Sequence, residues 1–170
     1  ELAREPLLPR EILTKSAFLN ALTVLAAIGG STNAIVHLLA IARRANIDLT
    51  LADFDRVSAQ VPLILKLKPS GSGYMEDFDQ AGGLPTLMKE LEGILDLDHV
   101  GVSGLSVGQE LSHVASCQPW QSTIHPLSDP FGDPGALAVL TGSLAPDGAV
   151  IKSSAATPKL MQHTGPAVVF

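Results

Sequence analysis

The sequence predicts an α/β segment to about residue 125, then a proline-rich stretch, then the start of a β-rich module. Three observations predict it. Apolar residues recur at helical spacing through the first half and are broken by glycine corners and capping residues. Four prolines, Pro119, Pro126, Pro130 and Pro134, interrupt residues 118–134, which hold few good helix formers. After Gly135 come short apolar runs at 136–140 and 149–152, the pattern of strands.

The elements follow in chain order. Residues 6–9 read as an extended lead-in between prolines. Thr14 is placed to cap a helix over 15–28, whose positions Ala17, Phe18, Ala21, Leu22, Leu25 and Ile28 form one apolar face. Gly29-Gly30-Ser31-Thr32-Asn33 then makes a corner. A glycine accepts the left-handed conformation that closes a helix, and Ser31, Thr32 or Asn33 can cap the next. That helix, 33–45, carries the stripe Ile35, Leu38, Leu39 and Ala42, suits Arg43-Arg44 at its C-terminal end, and stops at Asn46. Thr50 and Asp53 have the spacing of a capping box before a helix over 51–60. Residues 61–67 read as a strand after a proline start, and 68–73 as a loop.

Residues 75–78 lead to a second glycine pair, Gly82-Gly83. A helix over 84–95 follows, with Pro85 in its first turn and Leu87, Met88, Leu91 and Ile94 inward. Residues 99–102 form a short strand candidate, and 107–114 a short helix or turn. Pro146-Asp147-Gly148 is a turn signal between the two late strands. A third strand candidate covers 167–170.

Composition narrows the function. Hydrophobic residues make up 46% of the 170, so the chain folds, yet no run approaches the roughly 18 apolar residues of a membrane span. The net charge of −6 and the lack of a basic stripe argue against nucleic acid. The N-terminus is not a signal peptide, and it lacks an initiator Met, as in a piece of a longer chain. One cysteine, Cys117, excludes an internal disulfide and points to a reducing, cytoplasmic setting. A mean hydropathy of +0.29 implies either a generous core or apolar surface that packs on further protein.

Chemistry is sparse. The five histidines make no zinc-ligand spacing with Cys117, and nucleotide-binding and hydrolase-elbow motifs are absent. Cys117 reads as a small, half-buried hydrophobe; as a nucleophile it would need His113 or His125 as base. Glu76 and Asp77 read as solvated or helix-capping acids, since neighbouring side chains diverge too far to share one Mg2+. Lys152 reads as a surface or strand-edge lysine. The 29–33 corner reads as plain architecture, although its free amides at a helix N-terminus also suit an anion. His37 reads as a hydrogen-bonded structural histidine, or as a side chain facing a site beside Ser31 and Asn33.

Gly-Gly-Ser-Thr-Asn-Ala-Ile-Val-His-Leu-Leu-Ala-Ile-Ala at 29–42 resembles a block of the dihydroxy-acid dehydratase family, which includes phosphogluconate and aldonate (arabinonate, xylonate) dehydratases. Further blocks match in order: Lys-Pro-Ser-Gly (68–71) with Met-Glu-Asp-Phe (75–78), Ala-Gly-Gly-Leu-Pro (81–85), and Leu-Ala-Pro-Asp-Gly-Ala-Val-Ile-Lys (144–152). Residues 165–170 fit as well, whereas Asp79-Gln80 and residues 112–125 depart from the pattern.

The resemblance implies a hydro-lyase that converts a 2,3-dihydroxy acid to a 2-keto acid. It implies an iron–sulfur cluster as Lewis acid on the C3 hydroxyl, Mg2+ at the carboxylate end and a serine base at C2. It places no catalytic residue and no metal ligand in residues 1–170. The implied layout is the end of a larger α/β, cluster-side domain (1–125), then a linker and the first strands of a C-terminal β-barrel-like domain (126–170). The implied partner is a small sugar acid or dihydroxy acid, with no nucleic acid and no membrane, and the whole protein is expected to be a homo-oligomer. The 75–85 region leans toward the aldonate branch over the branched-chain amino-acid enzyme. Ser31, Thr32, Asn33 and His37 are the candidates to line the substrate cleft. The 170-residue chain alone is expected to be inactive and to bind no cluster. The rival reading is a non-catalytic scaffold or binding domain that keeps the family fold.

Overall fold

The computed structural model describes residues 7–157 together with 159, 161, 162, 164–166 and 168. The strand candidate at 167–170, apart from the exposed Val168, lies outside the described residues, as do Pro6 and His163.

Among the described residues, seven α-helices, with one short strand between the fourth and fifth, precede the late β region. Helix α1 (Pro9–Ile12) opens on Pro9, with the Leu8 amide donating to Glu11 Oε2 at 2.7 Å. Helix α2 (Lys15–Ile28) begins as expected, with Thr14 Oγ1 accepting from the Ala17 amide. The expected single apolar face of α2 is half of the picture. Leu22 and Leu25 pack with Ile35, Phe54 and Leu137, while Ala26 and Ala27 pack on the other side with Ile64, Leu65, Leu87, Leu91 and Ile124. Helix α2 is therefore a wall between two cores. Its buried polar residues are satisfied locally: Asn20 exchanges hydrogen bonds with the Asp96 main chain at 2.9 and 2.8 Å, and Thr23 donates to Leu19 O at 2.9 Å.

Helix α3 (Thr32–Arg44) buries Ile35 and Ala42 and ends near Asn46, which takes φ 57°. Helix α4 (Leu51–Ser58) has the expected capping box: the Asp53 amide donates to Thr50 Oγ1 at 3.2 Å and the Thr50 amide to Asp53 Oδ2 at 3.1 Å. Asp53 is also paired with Lys15 at 2.7 Å and Arg56 at 2.9 Å. The Lys15 hydrogen bond, ahead of the other contacts, lowers its carboxyl to about 2.

The strand expected over 61–67 shrinks to β1 (Pro62–Leu63), which pairs antiparallel with β2 (Gly132–Pro134). Beyond it the chain stays extended but changes partner at each step. The Ile64 amide donates to Ala27 O, Lys66 to Thr123 O and Lys68 to Gly73 O. The facing stretch is rich in proline and cannot offer an unbroken ladder. Ile124 and Leu137 from this later stretch are fully buried in the two cores.

Helix α5 (Met75–Gln80) forms where no helix was expected, with Asp77 capping the Tyr74 amide at 2.7 Å. Asp77 is thus the helix-capping acid of the sequence reading. Helix α6 (Gly83–Glu90) is shorter than its expected 84–95. Glu92-Gly93 follow its end, the helical period lapses, and Leu95 turns inward while Ile94 is 44% exposed. The expected strand at 99–102 reduces to a single bridge, Val100 to Ser106. Helix α7 (Val107–Leu111) has Ser106 as its cap.

Strands β3 (Ala138–Gly142) and β4 (Ala145–Ile151) form the hairpin. Its reversal lies at Ser143-Leu144, not at Pro146-Asp147-Gly148. Leu140 pairs with Ala149 and Gly142 with Ala145, so Pro146–Gly148 oppose Thr141 alone and form a bulge in β4. Gly148 does adopt the positive φ, 98°, that the turn signal implied. Among the described residues no helix is long and apolar enough to cross a membrane.

Candidate functional site

The candidate site is built on the corner between α2 and α3. Gly29 ends α2 at φ 55°, ψ 51°, and its amide donates to Ala26 O while the Gly30 amide reaches Leu25 O, both at 3.0 Å. This is the hydrogen-bond pattern of a left-handed helix terminus. A side chain at either glycine would have to displace a buried leucine methyl: a Cβ at Gly29 would stand 2.9 Å from Leu63 Cδ1, and one at Gly30 would press on Leu25 Cδ1. Ser31 is the cap of α3, its Oγ accepting from the Asn33 amide at 3.2 Å.

The chain closes on this corner from far away. Lys152, just past β4, donates from Nζ to the Gly29 carbonyl. Two residues on, Ser154 Oγ would lie 3.6 Å from a Gly29 Cβ, and Ser70 Oγ donates to Ser154 Oγ at 2.9 Å. The segment that carries these groups is itself tied down: Ser153 Oγ donates to Gly135 O and the Ser154 amide to Ala136 O. Three motif blocks, 29–42, 68–71 and 144–152, thus meet at one place. The 81–85 block sits elsewhere, with Ala81 in the core beside Leu87 and Leu91.

The sequence-predicted residues spread over this corner and the open side of α3. Ser31, Asn33 and His37 are exposed, and Thr32 is half-buried. Asn33 and His37 are four residues apart and share a helix face. His37 stands exposed on α3 rather than packed among its apolar neighbours in sequence. The helix turns those neighbours Ile35 and Ala42 inward and leaves His37 outward with Val36, itself 65% exposed. Lys152, Ser70 and Ser154, which the structure brings to this corner, were not among the sequence candidates. Lys152 and Ser70 lie in matching blocks, which was the available signal; Ser154 carried none. Of the two readings of Lys152, surface or strand-edge lysine, the structure departs from the first: the residue lies just past the end of β4, half-buried, and that burial lowers its pKa.

Elsewhere the chemistry is inert. Cys117 and His125 do line one cavity of about 400 Å3 with Glu90. The Cys117 amide donates to Glu90 Oε1 at 2.7 Å, and burial, with Glu90 beside it, pushes the thiol up to about 11. A thiol so protonated at neutral pH is no nucleophile. Among the described residues no group of three or more His, Cys, Asp or Glu could hold a metal ion, so they do not fit an iron–sulfur cluster or a Mg2+ site.

Comparison with known proteins places this geometry. The dihydroxy-acid/6-phosphogluconate dehydratase N-terminal model matches residues 1–110, and the C-terminal model of the same family matches 122–170. The chain is 48% identical over its whole length to an L-arabinonate dehydratase of Rhizobium leguminosarum bv. trifolii (strain WSM2304), covering 29% of that protein. It is 42% identical over its whole length to a dihydroxy-acid dehydratase of Clostridium novyi (strain NT), covering 31% of it. A dihydroxy-acid dehydratase of Sulfurisphaera tokodaii is 48% identical over 95% of this chain and is covered over 29% of its length. The chain therefore spans about three-tenths of the length of these curated relatives. The corner closed by Lys152 joins the region of one family model to that of the other, and both matches carry the same conclusion: the chain belongs to the dihydroxy-acid/6-phosphogluconate dehydratase family.

Proposed function

We propose that the whole protein is a hydro-lyase that removes water from a 2,3-dihydroxy acid to give a 2-keto acid, with an aldonate as the favoured substrate. The observation that carries this is the 48% identity to an L-arabinonate dehydratase over the full length of the chain. In the reaction the C2 proton and the C3 hydroxyl leave as water, and the resulting enol becomes the 2-keto acid. The iron–sulfur cluster and Mg2+ implied by the family resemblance have no fitting ligand set among the described residues, so no step is assigned to them here.

This chain's own contribution is to shape and line the cleft. The Ser31 hydroxyl, the Asn33 amide and the His37 imidazole lie exposed at the first turns of α3, where they can donate to and accept from the several hydroxyls of a sugar acid. Thr32 stands between them, half-buried. The N-terminal end of α3 favours the acid's negative charge. A second reading, a dihydroxy-acid dehydratase acting on a branched substrate, is favoured by relatives of that name at 42% and 48% identity.

The test is an anaerobic assay of the purified whole protein against L-arabinonate and a branched 2,3-dihydroxy acid, with 2-keto acid as the readout. Faster turnover of arabinonate is expected. Turnover of the branched acid alone selects the second reading. No keto acid from either leaves the non-catalytic scaffold.

A further inference from the structure

We propose that Lys152 is a positioning residue: its ammonium holds the Gly29 carbonyl, and so sets the direction in which the corner presents Ser31, Asn33 and His37. Lys152 lies one residue past the end of β4 and is half-buried. A lysine that merely covers apolar surface sends its charged head to water. This one ends on a main-chain carbonyl 123 positions away. Among the described residues the ion pairs join Lys15 and Arg56 to Asp53 and Lys89 to Glu92, and none involves Lys152. A cation drawn out of water is costly to keep unless its polar contacts offset the lost hydration, and the contact seen for Lys152 is the Gly29 carbonyl.

The bond falls at a sensitive place. Gly29 is left-handed and has no side chain, so its peptide to Gly30 is held by hydrogen bonds rather than by packing: the Gly30 amide donates to Leu25 O, and the Lys152 ammonium donates to Gly29 O. Rotation of the Gly29–Gly30 peptide would swing the cap of α3 and everything that follows it. The carbonyl end of a helix is also where a cation is favoured. The platform beneath Lys152 is firm, because Ser153 and Ser154 are bonded to Gly135, Ala136 and Ser70. The hairpin matched by the second family model thus controls the shape of a corner in the first. The part of the proposal that concerns substrate rests on the dehydratase reading; the pinning itself does not.

The test compares Lys152→Met, which keeps the apolar stem and loses the donor, with Lys152→Arg, which keeps a charged donor. In the whole protein, amide hydrogen exchange is read at Gly30 and Asn33, with the Asp96 amide, bonded to Asn20, as an internal reference. Lys152→Met is expected to speed exchange at the corner about 10-fold, the loss of one hydrogen bond to a charged group, and to leave Asp96 unchanged. Lys152→Arg is expected to stay near wild type. In the whole protein Lys152→Met is expected to raise KM for the dihydroxy acid about 10-fold with kcat within about twofold, and Lys152→Arg to restore KM.

Unchanged corner exchange in a folded Lys152→Met overturns the proposal, and so does equal damage by Met and Arg. Faster corner exchange with unchanged KM overturns the link to substrate. Faster exchange with no turnover by the wild type leaves the pinning intact and defeats the dehydratase reading instead. If Lys152→Met does not fold, Lys152→Gln, with a neutral head that tolerates water, is read in the same way.

Discussion

The two glycine pairs look alike in sequence and are closed by opposite means. At Gly82-Gly83 both residues have positive φ, 108° and 62°, and the neighbour that crowds a side chain at Gly82 is Thr86, four residues on. Gly82 is exposed. At Gly29-Gly30 only Gly29 is left-handed; it is buried, and its surroundings come from Leu63, Ala136, Lys152 and Ser154. One corner is a local turn between two short helices. The other is a junction on which distant parts of the chain converge, and residues with functional potential gather there for that reason.

The largest expected effect that sharpens this contrast is in Gly29→Ala against Gly83→Ala. Gly29→Ala forces a left-handed alanine and a contact with the buried Leu63, and should cost about 3 kcal/mol in urea unfolding. Gly83→Ala meets only Pro85 Cδ at 3.9 Å and should cost about 1 kcal/mol, the conformational penalty alone. Equal losses would erase the distinction between the corners.

Next is the cap. Ser31→Ala removes the acceptor for the Asn33 amide and should cost roughly 1 kcal/mol. In the whole protein it should also raise KM; unchanged kinetics would return the corner to architecture.

The smallest effect separates two lysines that each reach across the fold. Lys15 ends on a carboxylate, Asp53, whereas Lys152 ends on a carbonyl, which does not titrate. Asp53 has its folded pKa depressed from 3.8 to about 2. Its contribution is therefore complete above about pH 5 and is lost progressively as pH falls through about 2. With Lys15 exposed and screened by solvent, that loss should be roughly 1 kcal/mol or less. Asp53→Asn should flatten the stability profile between pH 5 and 2. The cost of Lys152→Met should stay the same from pH 5 to 3, and a drop in it over that range would mean that the lysine answers to an acid.

Much of the helical half was legible in the residues. Thr14, Ser31 and the Thr50–Asp53 pair cap their helices because capping is a contact within three residues, visible in sequence as in space. That one glycine of the Gly29-Gly30 pair is the left-handed terminus was readable for the same reason, and the structure assigns it to Gly29. Helix α5 was missed because its signal, the Asp77 cap, sits in a stretch of only six residues. The strand at 61–67 was over-read because its residue types suit a strand, while its partners are short and proline-broken. The Pro146–Gly148 signal was right about backbone conformation and wrong about the reversal, since a bulge and a turn both use a glycine at positive φ.

By itself, then, the sequence determined what depends on near neighbours: helix starts and stops, the left-handed glycine, the hairpin's two apolar runs, and the ordered motif blocks that mark the family. The tertiary structure decided what depends on distant ones. It set α2 between two cores, turned His37 to the outside of α3, and sent Lys152 inward to the Gly29 carbonyl. The physical reason is that a cap or a glycine conformation is specified within one turn of backbone. A lysine's destination depends on which surface lies within reach of its stem, and that surface exists only once the hairpin has packed against the corner.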